Sequence, residues 1–314
     1  MTHDRPVTRR AALAAGTAAL GAVAAQPAAD PPRPWIDAHS HIWPPDADKF
    51  PLAPGQTPKD LNPPSFTDDQ LMAVARPEGV GRVVLIQHSV YHLWDNSYLL
   101  DAVRRHPTTF RVQGMVDDHR PNPGAAMRQL LARGVTGFRI TPFVRPRDMQ
   151  AGWLDTPGMA EMWRTGAATR QAMCLLINPA DLLAADAMCA RHPDTPVVID
   201  HFARIGADGE FRDADVRALC RLARHKLAHV KVSAYYALGR KRPPHDELLP
   251  VIRRLVEAFG PRRLMWASDA PYQTQDPNSY RASIALIRDR ADFLSREDRD
   301  WLLAKTAEAV FFRA

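Results

Sequence analysis

The sequence is poor in several features that mark whole classes of protein. Its three cysteines, Cys174, Cys189 and Cys220, have no metal-binding spacing, which excludes a zinc-finger module or a disulfide framework. Lysine and arginine are scattered along the chain rather than clustered, so nothing indicates nucleic-acid binding. No apolar run reaches the roughly 18 residues that a membrane span needs, and we expect no stable membrane anchor.

What is present is an ordinary globular composition. Of the 314 residues, 46% are hydrophobic and 24% are charged, which suits one large hydrophobic core or two smaller domains. The cysteines fall in strand-like or helix-like runs, where thiols behave as small buried hydrophobic groups. We therefore expect no disulfide, and the sequence is silent on the oligomeric state.

The N-terminus is typical of an export signal. Arg9 and Arg10 precede an Ala-rich apolar stretch, and residues 22–24 read Ala-Val-Ala, as at a signal-peptide cleavage site. We predict a twin-arginine export signal over residues 1–24, a Pro-rich linker over residues 25–34, and a periplasmic or secreted protein. An Ala-rich tail is the alternative interpretation.

Residues 35–314 alternate short apolar runs with helix-like segments. Eight runs have the composition of buried parallel strands: Trp35–Trp43, Arg82–His88, Phe110–Val116, Val135–Thr141, Met173–Asn178, Val197–His201, His229–Tyr235 and Leu264–Ser268. Helix-like segments with capping signals lie between them, among them Asn96–Arg105, Pro123–Ala132, Asp181–Ala190, Asp213–His225 and Asp246–Phe259. Eight such units predict a single-domain TIM (β/α)8 barrel. An open doubly wound sheet is the alternative, although no Gly-rich phosphate loop follows the first strand.

One irregular stretch interrupts this alternation. Residues 44–64 contain seven prolines, so a regular helix or strand is excluded there. Long loops of this kind are often functional. We expect this one to lie over the mouth of the barrel and to contribute to substrate specificity.

The first strand carries a His-x-His pair. Residues two apart on a strand point to the same side, so His39 and His41 should project together as half of a metal site. Asp37 lies two residues earlier, and we expect it to support the histidines from deeper in the strand rather than to bind a ligand.

Further polar residues fall at the carboxyl ends of other strands, where TIM barrels place their chemistry. Imidazole and carboxylate groups suit Zn²⁺, so His39, His41 and Asp269 are candidate ligands of a divalent metal, with zinc preferred. Asp269 and His201 are the candidate catalytic residues. Both have a structural alternative, since Asp269 could cap a helix and His201 could be a core histidine. Arg139, a further polar residue in the fourth strand, could be an ion-pair partner.

Four residues are candidates for contact with the substrate. They are Arg139 in the fourth strand, His88 after the second, Arg204 after the sixth and Tyr235 at the end of the seventh. Lys231 shares the predicted strand face of Tyr235, and if it faces inward it needs a partner for its charge.

Five segments together resemble the motif string of the amidohydrolase superfamily, in its amidohydrolase-2 branch. They are Asp37-Ala-His-Ser-His41, Gly137-Phe-Arg-Ile140, Val198-Ile-Asp-His-Phe-Ala-Arg204, Val230-Lys-Val-Ser233 and Trp266-Ala-Ser-Asp-Ala-Pro271. The resemblance runs from about Trp35 to Phe312. It implies a TIM barrel with His39, His41 and Asp269 in the metal-ligand positions and His201 beside the substrate.

This branch includes 2-pyrone-4,6-dicarboxylate lactonase, sugar-lactone hydrolases and non-oxidative decarboxylases. Its decarboxylases and most of its metal-binding members carry a further histidine at the end of strand five, where this chain has Asn178. The resemblance to the lactonase subgroup, whose dicarboxylate lactonase works without a metal, is therefore closer.

The sequence thus predicts a hydrolase that opens a lactone or carboxylic ester of a small anionic substrate. Water activated by Asp269 would attack the carbonyl, with a divalent metal either assisting or absent. One alternative is a metal-dependent non-oxidative decarboxylase of an aromatic or unsaturated acid. Another is a solute-binding barrel without catalysis.

Overall fold

The computed structural model describes residues 1–2, 34–144 and 152–313. Eight parallel strands form one sheet in chain order: β1 (Trp35–Ser40), β2 (Val80–Ile86), β3 (Phe110–Gly114), β4 (Val135–Ile140), β5 (Ala172–Leu175), β6 (Val197–Ile199), β7 (Ala228–Val232) and β8 (Leu264–Trp266). The helices are α1 (Asp68–Ala75), α2 (Ser97–Arg105), α3 (Pro123–Leu131), α4 (Pro157–Thr169), α5 (Leu182–Arg191), α6 (Asp213–Arg221), α7 (Leu249–Phe259), α8 (Tyr280–Ala285), α9 (Arg296–Asp300) and α10 (Thr306–Phe311). The predicted alternation of strand and helix is confirmed.

The sheet closes on itself through the ends of β1 and β8. The amide of His41 donates to the carbonyl of Ala270 at 2.8 Å, and the amide of Asp269 donates to the carbonyl of His39 at 2.8 Å. Ser40 and Ala270 also form a parallel bridge. The predicted TIM barrel is therefore confirmed, and the alternative of an open sheet is wrong.

The barrel interior is filled by small and branched side chains. One buried cluster joins Ile36, Cys174 and Met265 with the ring of Phe311 in α10. The three strand residues come from β1, β5 and β8, which are not all neighbours in the sheet, so they meet across the interior. A larger cluster buries the outer strand faces against the surrounding helices, as the apolar composition of the strands requires.

Asp37 holds the seam between β1 and β8. Its Oδ1 accepts the backbone amides of His39 at 3.0 Å and Ser268 at 2.9 Å. Its Oδ2 accepts the hydroxyls of Ser40 at 2.7 Å, Ser268 at 2.5 Å and Tyr280 at 2.9 Å. The pairing of β1 with β2 shifts register between Asp37 and Ser40, which breaks the strict alternation of the strand. Asp37 therefore supports the histidine pair through the backbone and not by contact with the imidazoles.

The Pro-rich stretch at residues 44–64 packs beside the barrel mouth. Trp43 pairs with Phe66 across its base, and the Trp43 indole donates to the carbonyl of Pro63 at 2.9 Å. The stretch also contacts the loop after β2, because the amides of Ala53 and Asn62 donate to the carbonyl and hydroxyl oxygens of Tyr91. Among the described residues that line the cavity below, none belongs to this stretch, so its contribution to substrate specificity stays a prediction.

Two further expectations concern the termini and the cysteines. The export signal over residues 1–24 and the linker over residues 25–34 fall, apart from residues 1–2 and 34, outside the described residues. Within the described part of the chain, no helix has the length and apolar character that crossing a bilayer requires. All three cysteines are free thiols, as expected.

Candidate active site

A cavity of about 540 Å³ lies at the carboxyl ends of the strands. It is lined by most of the predicted site residues: His41, His88, Arg139, His201, Arg204 and Asp269. A larger groove of about 720 Å³ lies on the outer surface along α2 and α3, but it contains none of the predicted residues. The chemistry of the side chains therefore selects the smaller cavity as the candidate active site.

Three predicted ligands converge here: His41 and Asp269 line the cavity, and His39 is fully buried beside them. Asp269 Oδ1 lies 3.5 Å from His39 Nε2 and 3.4 Å from His41 Nε2. All three side chains are buried, and a tight turn at Asp269, whose φ is 63°, swings the carboxylate inward. The strand-end positions that the sequence predicted thus do come together.

The hydrogen bonds of this group leave two acceptor atoms facing each other. His41 Nδ1 lies 3.0 Å from the carbonyl of Ile86, which can only accept, so the proton of a neutral His41 is on Nδ1 and Nε2 carries a lone pair. Asp269 Oδ1 has no hydrogen-bond partner among the described residues. A lone pair and a carboxylate oxygen at this distance repel unless something positive lies between them, such as the hydrogen of a water molecule or a metal ion.

The environment sets the charge of each group. Burial lowers the pKa of His41 and that of His201, so both stay neutral at pH 7. Burial by itself would raise the pKa of Asp269, but the surrounding histidines, His201 first, outweigh it and hold the pKa well below its usual range. The site therefore presents an ionised carboxylate beside neutral imidazoles.

His201 is placed by an unusual turn. β6 ends at Ile199, and the four residues from His201 to Arg204 all have positive φ, between 52° and 58°. This left-handed turn brings His201 Nε2 to 3.7 Å from Asp269 Oδ2. His201 Nδ1 lies 2.8 Å from the hydroxyl of Ser233, which fixes the ring orientation.

A buried ionic cluster lies beneath His39. Lys231 Nζ lies 3.0 Å from Asp200 Oδ1 and donates to Gln113 Oε1 at 2.7 Å. Arg139 Nη2 lies 3.5 Å from Asp200 Oδ2 and 2.8 Å from His39 Nε2. Burial by itself would raise the pKa of Asp200, but the charge of Lys231 and the other neighbouring groups outweigh burial and hold that pKa well below its usual value. Lys231 does face inward and has the partner that its charge needs.

The structure does not bring Tyr235 to the cavity. Its side chain is fully buried and its hydroxyl donates to the carbonyl of Val232 at 3.0 Å. The neighbouring Tyr236 lines the cavity instead and donates to Asp269 Oδ2 at 2.9 Å. The prediction extended the strand alternation to residue 235, whereas β7 ends at Val232 and Ala234 has a φ of 57°. That turn reverses which tyrosine points inward.

His88 and Tyr272 form a second polar pair on the wall of the cavity. The amide of Tyr91 donates to His88 Nδ1 at 3.1 Å, and burial lowers the pKa of His88 well below its usual value. The neutral ring therefore carries its proton on Nε2, which donates to the Tyr272 hydroxyl at 2.6 Å. Tyr272 was not predicted, although its position three residues after Asp269, in the turn that follows it, was a usable signal.

Arg204 lies on the opposite wall. Its Nη1 donates to Asn178 Oδ1 at 3.1 Å, and its guanidinium lies over the ring of Phe143 at 5.2 Å. Lys241 also lines the cavity, but the sequence around it, Gly-Arg-Lys-Arg, is indistinguishable from a solvated surface turn. Asn178 thus orients an arginine.

A metal ion fits the donor set in part. His39, His41 and Asp269 form a group whose ligand atoms lie within 4.8 Å of one another, and N and O donors of this kind suit Zn²⁺. The unpartnered Asp269 Oδ1 and the lone pair of His41 point to the same place. The third donor, His39 Nε2, is already in contact with Arg139.

Comparison with known proteins agrees with this geometry. Residues 36–313 match the model of an amidohydrolase family, Amidohydro_2. The chain is 31% identical to L-fucono-1,5-lactonase of Burkholderia ambifaria over 239 residues, which is 75% of this chain and 80% of that protein. It is 29% identical to 4-sulfomuconolactone hydrolase of Rhizobium radiobacter over 237 residues, 75% of each chain. A zinc-bound amidohydrolase of Burkholderia multivorans has the same fold, with a TM-score of 0.75, 21% identity and coverage of 89% of this chain and 99% of that one.

Proposed function

Since the chain belongs to the amidohydrolase family of hydrolases, we propose that it hydrolyses a lactone, or a related ester, of a small anionic acid. Two relatives of about 30% identity are lactone hydrolases. The observation that carries the proposal is Asp269 Oδ1, a buried carboxylate oxygen without a partner among the described residues, at the floor of the cavity.

Asp269 is the general base. Its Oδ2 is held by Tyr236 at 2.9 Å, which leaves Oδ1 to orient a water molecule against the lactone carbonyl carbon. As the water oxygen bonds to that carbon, one water proton passes to Asp269 and the carbonyl oxygen becomes an alkoxide. The neighbouring Arg139 guanidinium and the histidines provide the positive and polar groups that stabilise this charge.

Collapse of the tetrahedral intermediate completes the reaction. The carbonyl re-forms, the ring C–O bond breaks, and the departing oxygen takes the proton from Asp269. The product is a hydroxy acid, or its keto form where the leaving oxygen is an enol. Asp269 returns to its ionised form, which its low pKa favours.

The charges of the cavity favour an anionic substrate. Arg139, Arg204 and Lys241 line it together with Asp269, so the cations outnumber the carboxylate. Arg204 is held by Asn178, and a guanidinium in a fixed position binds a carboxylate or sulfonate through two hydrogen bonds. We assign Arg204 and Lys241 to the anionic group of the substrate and His88 with Tyr272 to its polar ring substituents.

A divalent metal, with zinc preferred, would need His39, His41 and Asp269 as ligands, and Arg139 already contacts the His39 nitrogen that faces this group. Bound there, it would supply a Lewis acid for the lactone carbonyl and increase the acidity of water at the site. The steps above use side chains alone and do not require it.

Hydrolysis assays on purified protein test the proposal. The panel should contain sugar-acid lactones and unsaturated carboxylate lactones, with release of acid followed by a pH indicator and addition of water by mass spectrometry. We expect one class to be opened, and Asp269→Asn to lower kcat at least about 100-fold. Asp292→Asn, at a side chain that is 91% exposed, is the matched control and should leave kcat unchanged.

The same assay separates the alternatives. Release of CO₂ from an aromatic or unsaturated acid, without lactone opening, would support the decarboxylase. The observation against it is that Asn178, where decarboxylases of the branch carry histidine, is hydrogen-bonded to Arg204. Binding without turnover of any lactone or acid, unchanged in Asp269→Asn, would support the solute-binding barrel and end the catalytic proposal.

We also propose that the chain is exported by the twin-arginine route, on the basis of Arg9, Arg10 and the apolar stretch that follows. Replacing both arginines by lysine should retain the protein in the cytoplasm. Recovery of that variant in the periplasmic fraction would contradict the proposal.

A further inference from the structure

His39 lies between two side-chain cations and is fully buried next to the cavity residues His41 and Asp269. Arg139 Nη2 lies 2.8 Å from its Nε2, and Lys231 Nζ lies 3.1 Å from its Nδ1. His39, Arg139 and Lys231 are all buried, so bulk water replaces neither contact. Both ring nitrogens therefore face a hydrogen-bond donor.

A neutral imidazole has one lone pair and one N–H, so it can accept from only one of these donors. Arg139 and Lys231 both approach the ring as hydrogen-bond donors, and only the neutral ring has a lone pair that can accept from either of them. A guanidinium offers only donors, so the short contact with Arg139 places the lone pair on Nε2. The proton is then on Nδ1, which lies 3.6 Å from Asp200 Oδ1, while Lys231 donates to Gln113 Oε1 at 2.7 Å and forms an ion pair with Asp200 at 3.0 Å.

The lone pair on His39 Nε2 is the one that a metal ion would use. Zn–N bonds are about 2.0–2.1 Å long, so an ion on that lone pair would overlap the guanidinium nitrogen that now lies 2.8 Å away. The fixed charge of the guanidinium would also repel a divalent cation in a site of low dielectric. Arg139 and a metal ion are therefore mutually exclusive at His39.

We propose that Arg139 takes the place of a divalent metal at His39, so that this chain binds such an ion weakly and supplies the positive charge of its active site from its own side chains. The proposal concerns metal binding and stands whether or not the substrate is a lactone.

The second candidate metal group has the same property. His39, Asp200 and His201 also lie close enough to share an ion. The ammonium of Lys231 is already within 3.0 Å of Asp200 Oδ1 and 3.1 Å of His39 Nδ1. Both candidate metal groups include His39. In each, a side-chain cation, Arg139 in the first and Lys231 in the second, already lies at the His39 nitrogen that the metal would use.

The position of Arg139 is held by its surroundings. It lies on β4, and Asp200 Oδ2 lies 3.5 Å from its Nη2. Asp200 is in turn held by Lys231 and by Gln113, whose Nε2 donates to Oδ2 at 3.3 Å. Withdrawal of the guanidinium would leave a buried charge partly unpaired, which opposes its displacement by a metal.

Metal titration of Arg139 variants tests this inference. Protein dialysed against a chelator is titrated with Zn²⁺ by isothermal titration calorimetry. We expect Arg139→Met, which keeps the unbranched side chain but removes the guanidinium, to bind Zn²⁺ at least about 10-fold more tightly than the wild type. Arg204→Met, at another arginine of the same cavity that does not contact His39, should bind as weakly as the wild type.

A double variant locates the gained site. Adding Asp269→Asn to Arg139→Met should abolish the increase in affinity, because the gained ion needs the Asp269 carboxylate. Arg139→Gln provides a second, shorter neutral side chain if Arg139→Met does not fold. Tight binding of one Zn²⁺ per wild-type chain, or equal affinities of the wild type and the folded Arg139 variant, would overturn the proposal.

Discussion

Asp37 should stabilise the closed barrel more than its position outside the cavity suggests. In Asp37→Asn, Oδ1 can still accept the amides of His39 and Ser268, at 3.0 and 2.9 Å. The new NH₂ group, however, replaces the oxygen that accepts hydroxyls from Ser40, Ser268 and Tyr280, at 2.7, 2.5 and 2.9 Å. Those three charge-assisted bonds are lost, and the hydroxyls must rotate to become acceptors.

A bond to a charged acceptor contributes about 1.5–3 kcal/mol, and rotation of the hydroxyls recovers part of the loss, so we expect the free energy of unfolding to fall by about 3 kcal/mol. For a barrel of this size that corresponds to a decrease in Tm of about 5 °C. Urea denaturation followed by circular dichroism measures the change, with Asp292→Asn as the exposed control, expected within about 0.5 kcal/mol of the wild type. A change below about 0.5 kcal/mol in Asp37→Asn would refute the role assigned to this carboxylate.

Two further predictions concern ionisation. Activity needs an ionised Asp269 and a neutral His201; since both pKa values are lowered, kcat/KM should stay constant as the pH falls to about 6.5 and decline only below it. An acid limb with a midpoint at or above pH 6.5 would contradict this. Burial raises the pKa of the Cys174 and Cys189 thiols to about 12, so neither should react with a disulfide reagent at pH 8 in the native protein, whereas all three thiols react in denaturant. Only the partly buried Cys220 should react in the native protein, and rapid reaction of a second thiol would show that the core opens.

The barrel could be predicted because its signals are local. Each strand is a short apolar run, and eight of them alternate with helical segments, so composition and order were sufficient. The ends of the strands were less predictable. The predicted run Arg82–His88 corresponds to β2 at Val80–Ile86, and Val197–His201 corresponds to β6 at Val197–Ile199. The residues that follow these strands lie next to apolar residues in the sequence, so they resemble a continuing strand. In the structure the backbone has already turned toward the cavity there.

The candidate site was predictable where a residue type and a strand end coincide, as at His41 and Asp269. It was not predictable where side chains meet only in three dimensions. Nothing in the sequence around Arg139 shows that its guanidinium lies on His39, because their contact spans 100 residues. Tyr236 rather than Tyr235 reaches the cavity because the backbone turns after β7, and the periodicity of a strand does not predict such a turn.

The left-handed turn from His201 to Arg204 also limits how stable this protein can become. A left-handed residue other than glycine costs roughly 1–2 kcal/mol, and here four occur in succession. The buried side chains of Phe202 and Ala203 offset that strain and hold the turn in place. Substitutions that relax the turn would raise stability but release both His201 and Arg204 from the cavity, so that thermal stability and activity oppose each other at this one segment.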